Sequence, residues 1–312
     1  MKLLRKGYKV LATLSNERSI SFYKLLKEIM SIEYIKSPLN YVGGKYKLLP
    51  QIMNYIPKDI NTCVDLFCGG LDFSINVKAN KIISNDIIIP IIKMYQYFNV
   101  TATDEIINKI EYNIKQYSLS RINKEGYLRL RNNYNTNYSP IDLMTLIAYC
   151  YNNQIRFNSK FQFNRAFGKN RSSFNDCMKN NLVQMINKIH NTNIIFTNID
   201  YQNYMFNNLK MNDFVYCDPP YLITNADYSI QARWDENKEE KLLNILDNLN
   251  ENNIKFALSN VIEHDGKENN ILKEWSRKYI VHNLNNTYTN SNASKKIKNG
   301  ISDEVLITNY SI

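Results

Sequence analysis

The residues of this sequence whose types and spacing best suit chemistry are Asp218-Pro219-Pro220-Tyr221, which directly follow the apolar run Phe214-Val215-Tyr216-Cys217. Such a run predicts a buried strand, and open α/β sheets bind their ligands beyond the carboxyl ends of their strands. A carboxylate, two rigid prolines and an aromatic ring are therefore expected together at that edge of a sheet. A planar amine substrate would fit there.

The chemistry of such a substrate explains the residue types. An exocyclic amine on a purine or pyrimidine is a weak nucleophile because its lone pair is delocalised into the ring, so an enzyme that methylates it must hold its N–H groups in acceptors. Asp218 supplies one acceptor, and the carbonyl of Pro219 supplies a second. Tyr221 offers a face on which a base can stack, a contact of ~1–3 kcal/mol. Alternatively, these four residues could simply be a proline turn that ends the strand.

A glycine turn follows an earlier predicted strand. That strand ends at Asp65-Leu66-Phe67 and turns through Cys68-Gly69-Gly70, where glycines let the backbone approach a ligand. Asp86 closes the next predicted strand about twenty residues on, the distance at which an acid reaches ribose hydroxyls in such folds. Asp86 could equally cap the helix predicted to begin near Ile88. A pyrophosphate-binding G-x-G-x-x-G is absent, which disfavours NAD and favours S-adenosylmethionine.

Three segments together resemble the Dam-type, D12-class DNA adenine N6-methyltransferases. They are Asn40-Tyr41-Val42-Gly43-Gly44-Lys45, Phe67-Cys68-Gly69-Gly70 and the tetrapeptide at 218–221. The resemblance runs from about Lys36 to Tyr310 in the α motif order: glycine-lysine segment, cofactor loop, target-recognition insert, then D-P-P-Y. It implies an enzyme that moves a methyl group from S-adenosylmethionine to the N6 amine of an adenine flipped out of a short duplex recognition sequence. One departure is that the family usually shows F-x-G-x-G, whereas Leu71 follows Gly70 here.

The resemblance also implies roles for individual residues. Asp218, Pro219, Pro220 and Tyr221 would be catalytic. Tyr41 and Lys45 would touch the methionine end of the cofactor, although Lys45 could instead be a solvated lysine at the start of a helix. The expected cofactor site comprises Tyr41, Gly43, Gly44, Lys45, Asp65, Phe67, Gly69, Asp86 and Asp218.

Residues 99–181 interrupt the pattern of the rest of the chain and are predicted to form a mainly helical target-recognition insert that carries a β-hairpin. Amphipathic helices are expected at Asp104–Tyr117 and Ile141–Tyr151. Residues 151–171 alternate aromatic side chains with Lys, Arg or Asn, which predicts a hairpin that presents donors on one face.

The resemblance places Tyr151 and Asn152 at the gap that a flipped base leaves, although Tyr151 could be the last buried residue of its helix. It aligns Arg156 with the family's base-contacting arginine, where a bidentate arginine discriminates by ~1–3 kcal/mol, and Lys169 with a second basic contact. Further contacts to DNA are expected from Asn158, Lys160, Arg165 and Arg171, the basic ones on phosphates. The recognition sequence stays open, because Ala166 stands where enzymes that methylate GATC typically carry proline.

The scaffold is predicted from seven β-rich runs: 62–67, 81–86, 194–199, 213–217, 255–259, 280–284 and 304–309. Helical segments between several of them indicate an α/β protein with a mostly parallel, Rossmann-like sheet of the S-adenosylmethionine-dependent methyltransferase type. The last strand, which enters from a loop, is expected to be antiparallel. Residues 30–98 and 182–312 would form the catalytic domain, and residues 1–29 a basic extension without an assigned function.

Bulk properties agree with this interpretation. A net charge of +10 favours a polyanionic partner, here double-stranded DNA, although a compositional bias toward Lys would produce it too. The five cysteines include no C-x-x-C pair and the three histidines are scattered, so neither a disulfide framework nor a metal site is expected, which suits a reducing cytoplasm. No apolar stretch approaches ~18 residues, so no membrane span is expected. The resemblance further implies a bacterial or phage-encoded enzyme and is compatible with a cognate restriction endonuclease that acts separately.

Other functions are compatible with parts of the sequence. An N4-cytosine methyltransferase needs the same acceptors but more often carries S-P-P-Y, and RNA or protein-glutamine methyltransferases more often show N-P-P-Y. A non-catalytic DNA-binding relative would not need residues 218–221 intact.

Overall fold

The computed structural model describes residues 34–224, 233–284 and 302–312. The described residues from Ile35 onward belong to one compact unit. The predicted basic extension, residues 1–29, lies outside the described residues. Among the helices of these ranges, none is both long enough and apolar enough to cross a membrane.

A twisted sheet forms the centre of this unit, with its strands in the order β3-β2-β1-β4-β5-β8-β7. The first five strands in this order are mutually parallel, and β8 is antiparallel to both of its neighbours. The predicted seven-stranded sheet with an antiparallel last strand is confirmed, and a two-residue strand, β6, also pairs with the end of β5. The strands are β1 (Thr62–Asp65), β2 (Lys81–Asn85), β3 (Ile194–Thr197), β4 (Phe214–Cys217), β5 (Lys255–His264), β6 (Lys267–Glu268), β7 (Ile280–Leu284) and β8 (Ser302–Thr308).

The strand register explains where a site can form. Asp65 lies opposite Ser84 of β2 on one side and Tyr216 of β4 on the other, so the carboxyl ends of these three strands coincide. From β1 the chain passes to β2 on one side, whereas β4 lies on the other side. Strand order reverses at this point, which is where open α/β sheets bind ligands.

Eight α-helices surround the sheet or form the insert in the described ranges. Helix α7 shows the pattern that buries a face: Leu242, Leu246 and Leu249 recur at i, i+4 and i+7 and pack with Phe256 of β5 in the main core. The helices are α1 (Leu49–Ile52), α2 (Ile89–Val100), α3 (Thr103–Gln116), α4 (Lys124–Asn137), α5 (Pro140–Tyr149), α6 (Asp176–His190), α7 (Glu236–Glu251) and α8 (Asn270–Ser276).

The insert is built around α5, which is buried from Ile141 to Tyr149. Ser139 caps α5 by accepting from the N–H of Asp142, and Pro140 sets its first turn. The carboxylate of Asp142 then accepts from Asn113 of α3 at 2.8 Å and from Asn133 of α4 at 2.6 Å, which ties three helices together. Helix α4 was not predicted. Helix α6 is continuous across residue 181, where the insert was predicted to end.

Residues 151–171 reverse direction without forming two strands. Phe157 and Phe163 pair as an isolated antiparallel bridge, and Cys150 pairs with Phe167 in the same way. Both rings of the first bridge are buried. The aromatic side chains therefore fill the inside of a compact loop, so the predicted hairpin is present only as a turn with single bridges and does not display a continuous β face.

Candidate active site

One cavity lies at the carboxyl ends of β1, β2 and β4. Every residue that the sequence predicted as catalytic or cofactor-binding lines it, so these predictions converge on one place. These residues are Tyr41, Gly43, Gly44, Lys45, Asp65, Phe67, Gly69, Asp86, Asp218, Pro219, Pro220 and Tyr221.

Asp218 is held by charged and polar partners at the end of β4. Lys45 Nζ lies 2.8 Å from Asp218 Oδ1, and the Tyr221 hydroxyl donates to the same oxygen at 3.2 Å. The Tyr221 hydroxyl also donates to Glu304 Oε1 of β8 at 2.9 Å. Lys45 is only 4% exposed and lies 4.9 Å from the centre of the Tyr221 ring, so it is not the solvated lysine that the sequence left open.

Burial shapes the electrostatics of this site. Desolvation raises the pKa of Asp218 to about 6, because the ammonium of Lys45 offsets only part of that effect and the carboxylate of Glu304 adds to it. Asp218 is therefore an ionised acceptor at neutral pH, and it takes up a proton more readily than an ordinary aspartate.

The glycine turn after β1 brings backbone close to Tyr41. Gly69 has a φ of 42°, and a Cβ at Gly69 or Gly70 would lie 3.0 Å from Tyr41 side-chain atoms. The Tyr95 hydroxyl donates to the Gly69 carbonyl at 2.7 Å and fixes the turn. The next residue, Leu71, has a φ of 68° and is fully buried. A leucine thus adopts the left-handed conformation at the position where the family usually has its second glycine.

Asp86 braces this turn. Its Oδ2 accepts from the N–H of Gly69 at 3.0 Å, and its Oδ1 accepts from the N–H of Ile88 at 2.9 Å, just before α2. The predicted alternative that Asp86 caps this helix is wrong in the strict sense, because the N-cap of α2 is Ile88 and no side chain caps it; Asp86 instead holds the N–H of that residue. The carboxylate also lines the cavity, so a role toward a ribose stays compatible with its position.

Asp65 is a buried carboxylate at the end of β1. Its Oδ2 accepts from the Ser74 hydroxyl at 2.6 Å, and Ser74 in turn lies 2.7 Å from the hydroxyl of Ser84. Its Oδ1 is buried and has no hydrogen-bond partner among the described residues. Desolvation raises the pKa of Asp65 to about 8, with the hydrogen bond from Ser74 acting in the opposite direction. Such an oxygen is suited to a donor supplied by a ligand.

An aromatic wall that the sequence did not predict closes one side of the cavity. Phe67, Tyr201 and Trp234 have ring centroids 5.3 to 5.7 Å apart. Trp234 Nε1 donates to Glu239, a fully buried residue of α7. Tyr201 and its neighbour Asp200 could have been predicted from the sequence, because they come just after β3 and the predicted ligand site lies at strand ends. Trp234 follows no predicted strand, so no comparable signal was available.

The segment predicted to contact DNA does not line the cavity but is tied to it. Helix α5 ends at Tyr149 and Tyr151 is 41% exposed, so the alternative that Tyr151 ends a helix as a buried residue is wrong. The guanidinium of Arg171 lies 4.9 Å from the Tyr151 ring centre and donates to Asn152 Oδ1 at 2.8 Å. Asn40, which adjoins Tyr41 of the cavity, donates to the Asn152 carbonyl at 2.7 Å.

The remaining predicted contacts fall into two groups. Arg156, Lys160 and Lys169 are exposed. Asn158 is half-buried and its side chain builds the turn, since its Oδ1 accepts from the N–H groups of residues 160 and 162. Arg165 is half-buried and donates to Gln154. The exposed residues can reach a partner directly, whereas the other two shape the loop that presents them.

The geometry can hold a planar amine. A carboxylate that is ionised at neutral pH and a carbonyl without a neighbouring N–H lie at one strand end, next to an aromatic ring. A second set of carboxylates, Asp65 and Asp86, lies across the same cavity at the glycine turn. In the described part of the chain, no cluster of metal-ligating side chains occurs.

Two known proteins are similar to most of this chain. The chain is 47% identical over 284 residues to the modification methylase StsI of Streptococcus sanguinis, an alignment that covers 89% of this chain and 43% of the relative. It is 48% identical over 281 residues to the type II methyltransferase M.FokI of Planomicrobium okeanokoites, with the same coverage. It thus spans less than half the length of these two relatives.

A smaller relative aligns over most of its own length. The DNA adenine methylase of Salmonella typhi is 27% identical over 271 residues, which cover 83% of this chain and 91% of that protein. Residues 41–290 match the model of one protein family, and they include the glycine-lysine segment, the cofactor loop and the tetrapeptide at 218–221. The chain therefore belongs to the D12 class of N6 adenine-specific DNA methyltransferases.

Proposed function

We propose that this protein is a site-specific DNA methyltransferase that moves a methyl group from S-adenosylmethionine to the N6 amine of an adenine flipped out of duplex DNA. The observation that carries the proposal is the placement of Asp218, paired with Lys45 and Tyr221, in the same cavity as the glycine turn. Membership of the D12 class supports the choice of adenine.

In this mechanism the residues at the end of β4 orient the amine. Asp218 accepts one N6–H and the Pro219 carbonyl accepts the other, which directs the nitrogen lone pair toward the methyl donor. Tyr221 supplies the surface on which the base stacks. The amine gains a methyl group and must lose one proton. Asp218 touches that proton, and its pKa, raised to about 6 by burial, suits it to take the proton up.

The other half of the cavity fits S-adenosylmethionine, which supplies an electrophilic methyl group when bound. Its sulfonium and ammonium charges suit the carboxylates of the cavity, and the unpartnered Oδ1 of Asp65 suits an N–H donor. Asp86 suits the ribose hydroxyls. The Gly69-Gly70 backbone leaves a close approach beside Tyr41 that a Cβ would fill. The proposed cofactor residues are Tyr41, Gly43, Gly44, Lys45, Asp65, Phe67, Gly69, Asp86 and Asp218.

The proposed partner is double-stranded DNA, contacted through the loop at 151–171. Tyr151 and Asn152 would fill the gap left by the flipped base, with Arg156 on a base edge, Lys169 as a second basic contact, and Lys160 and Arg171 on phosphates. Asn158 and Arg165 would hold the loop in the shape that presents these residues. Two relatives are named a modification methylase and a type II methyltransferase, which supports a role in the cytoplasm of a bacterial host beside a separate restriction endonuclease.

Replacing Asp218 tests the proposal. Asp218→Ala is expected to lower methyl transfer from labelled S-adenosylmethionine to DNA by about two orders of magnitude or more, because the acceptor that orients the amine is gone. Asp59→Ala, which removes an exposed carboxylate, is the control and should leave the rate unchanged. Nucleoside analysis of the product should show N6-methyladenine. N4-methylcytosine in the product, or near-normal turnover by a folded Asp218→Ala protein, would contradict the assignment.

A further inference from the structure

Glu304 is a buried carboxylate for which no role was predicted. It lies in β8, between Val261 of β5 and Leu284 of β7, and it is only 1% exposed. A carboxylate in the interior of a sheet is unfavourable unless it is paired and hydrogen-bonded. Its partners therefore show what it holds in place.

Two of those partners are the groups that also hold Asp218. The Tyr221 hydroxyl lies 2.9 Å from Glu304 Oε1 and 3.2 Å from Asp218 Oδ1. Lys45 Nζ lies 3.7 Å from Glu304 Oε1 and 2.8 Å from Asp218 Oδ1. Two buried carboxylates thus share one ammonium and one hydroxyl.

Sharing matters because a hydroxyl has a single proton. When the Tyr221 hydroxyl donates to Glu304, it does not donate to Asp218. The attraction of Glu304 for the Lys45 ammonium likewise weakens the hold of Lys45 on Asp218. Without Glu304 the Tyr221 hydroxyl would donate to Asp218 Oδ1, which Lys45 already contacts, and it would compete there with an incoming N–H.

We propose that Glu304 is a positioning residue of the methyl-transfer site: it draws the Tyr221 hydroxyl away from Asp218 and shares the Lys45 ammonium with it, so that Asp218 can accept the hydrogen of the target amine. This inference rests on the proposed function. Glu304 does not itself touch the reacting atoms; it fixes the Tyr221 ring and keeps the acceptor available.

A pH profile separates this role from simple support of the fold. Among the described residues, the charged and titratable groups that face Asp218 are Lys45 before α1, Asp65 of β1, Tyr216 and Cys217 of β4, Tyr221 and Glu304. The negative charge of Glu304 raises the pKa of Asp218, and Lys45 lowers it. A neutral residue at 304 should therefore lower the pKa of Asp218 and move the acid limb of the kcat profile to lower pH.

Two substitutions separate the effect of the charge of Glu304 from the effect of its hydrogen bond to Tyr221. Glu304→Gln keeps an acceptor for Tyr221 but loses the charge, so kcat should fall about tenfold or more, because a hydrogen bond to a charged group is stronger than one to a neutral group, and the acid limb should shift to lower pH. Glu304→Asp keeps the charge but shortens the reach to Tyr221, so kcat should fall while the acid limb stays near that of the wild type. In both proteins the KM for S-adenosylmethionine should change little. Glu263→Gln, which neutralises a half-buried carboxylate of the neighbouring strand β5, is the matched control and should leave the profile unchanged.

The measurement is the kcat and KM of the full chain on duplex DNA across pH, after circular dichroism has confirmed the fold. A Glu304→Gln profile that superimposes on the wild type overturns the inference. The Tyr221→Phe background supplies a second test: there Glu304→Gln should lower kcat by less than it does in the wild type, because the hydroxyl that Glu304 holds is gone, and an undiminished loss also overturns the inference. If the wild type transfers no methyl group to DNA, the proposed function has failed instead, and the two failures are distinguished at that first step.

Discussion

Asp218 directly follows β4 and Asp86 directly follows β2, and the two carboxylates are held in different ways. Asp218 is paired with side chains, an ammonium and a hydroxyl, which can change partner without moving the backbone. Both oxygens of Asp86 accept from backbone N–H groups, which fixes the glycine turn and the start of α2. The first arrangement suits a group that acts on substrate, and the second suits one that presents a preformed surface to a cofactor.

We expect Asp86→Ala to weaken the binding of S-adenosylmethionine by about tenfold or more, since it removes hydrogen bonds to a charged group on the cofactor side. Affinity for DNA should change less. Isothermal titration with cofactor alone and with DNA alone checks the contrast. Asp104→Ala, at an exposed carboxylate of α3, serves as the control. Unchanged cofactor affinity would leave Asp86 as a brace of the loop only.

Among the structural elements, the glycine turn carries a strained leucine. Leu71 has a φ of 68°, a conformation that costs a residue with a Cβ roughly 1 kcal/mol and costs glycine almost nothing. The side chain is fully buried, and its apolar contacts offset that cost.

The strain can be measured by comparing two truncations. Leu71→Ala and Leu71→Gly both lose the buried side chain, but only the glycine variant also loses the strain, so it should be more stable than the alanine variant by about 1 kcal/mol. Urea unfolding gives both free energies. The same pair at Leu130, inside α4, should show the opposite order, because glycine is unfavourable within a helix. If Leu71→Gly is less stable than Leu71→Ala, the conclusion that Leu71 is strained is contradicted.

The loop at 151–171 makes a prediction about specificity. If Arg156 contacts a base edge, Arg156→Ala should cost ~1–3 kcal/mol on the preferred site and flatten the preference at one base pair. Lys160→Ala is the matched substitution of another exposed basic residue in the same loop, and it should weaken binding to all sequences and reduce the salt slope by about one. Methylation rates on a library with flanking pairs randomised distinguish the two. A changed sequence preference in Lys160→Ala, with a uniform loss in Arg156→Ala, would show that the roles are reversed.

The same elements show what the sequence could and could not predict. Residues 218–221 and the glycine turn were predictable because strand ends are marked by local apolar runs and meet at one edge of the sheet. Helix α4 was missed because its buried face consists of Gly126, Tyr127, Leu130 and Tyr134 among polar residues, a weak periodic signal. The contacts of Glu304 and Trp234 could not be predicted. Glu304 meets Tyr221 from 83 residues away in the sequence, and Trp234 reaches the cavity by packing its ring against that of Phe67.

At the scale of the whole molecule, the buried carboxylates make stability depend on pH. The pKa of Asp65 is raised to about 8 and that of Asp218 to about 6, both chiefly by desolvation, whereas an unfolded aspartate has a pKa of about 3.9. The folded state therefore holds protons that the unfolded state has released. Their contribution to stability is fully present below about pH 4 and is lost as pH rises through the folded pKa values.

The ligand-free protein should accordingly lose stability as pH rises from about 6 to about 8, and Asp65→Asn, which cannot ionise, should flatten that decline. Thermal unfolding at a series of pH values measures it. Asp104→Asn, at an exposed site, should follow the wild type. A decline that is equally steep in Asp65→Asn would show that Asp65 is ionised in the folded state at neutral pH.

The position of β8 has a consequence for how the protein is made. β8 comes last of the eight strands in chain order, yet it lies inside the sheet with β5 on one side and β7 on the other. During synthesis on the ribosome, β5 and β7 emerge before β8, so the edge of each strand that β8 will cover is still unpaired. Pairing between strands that are not adjacent in the sequence is slow. Glu304 arrives with β8. The nascent chain therefore completes its sheet and the surroundings of Asp218 in the same step, and synthesis has passed residue 304 before the active site is assembled.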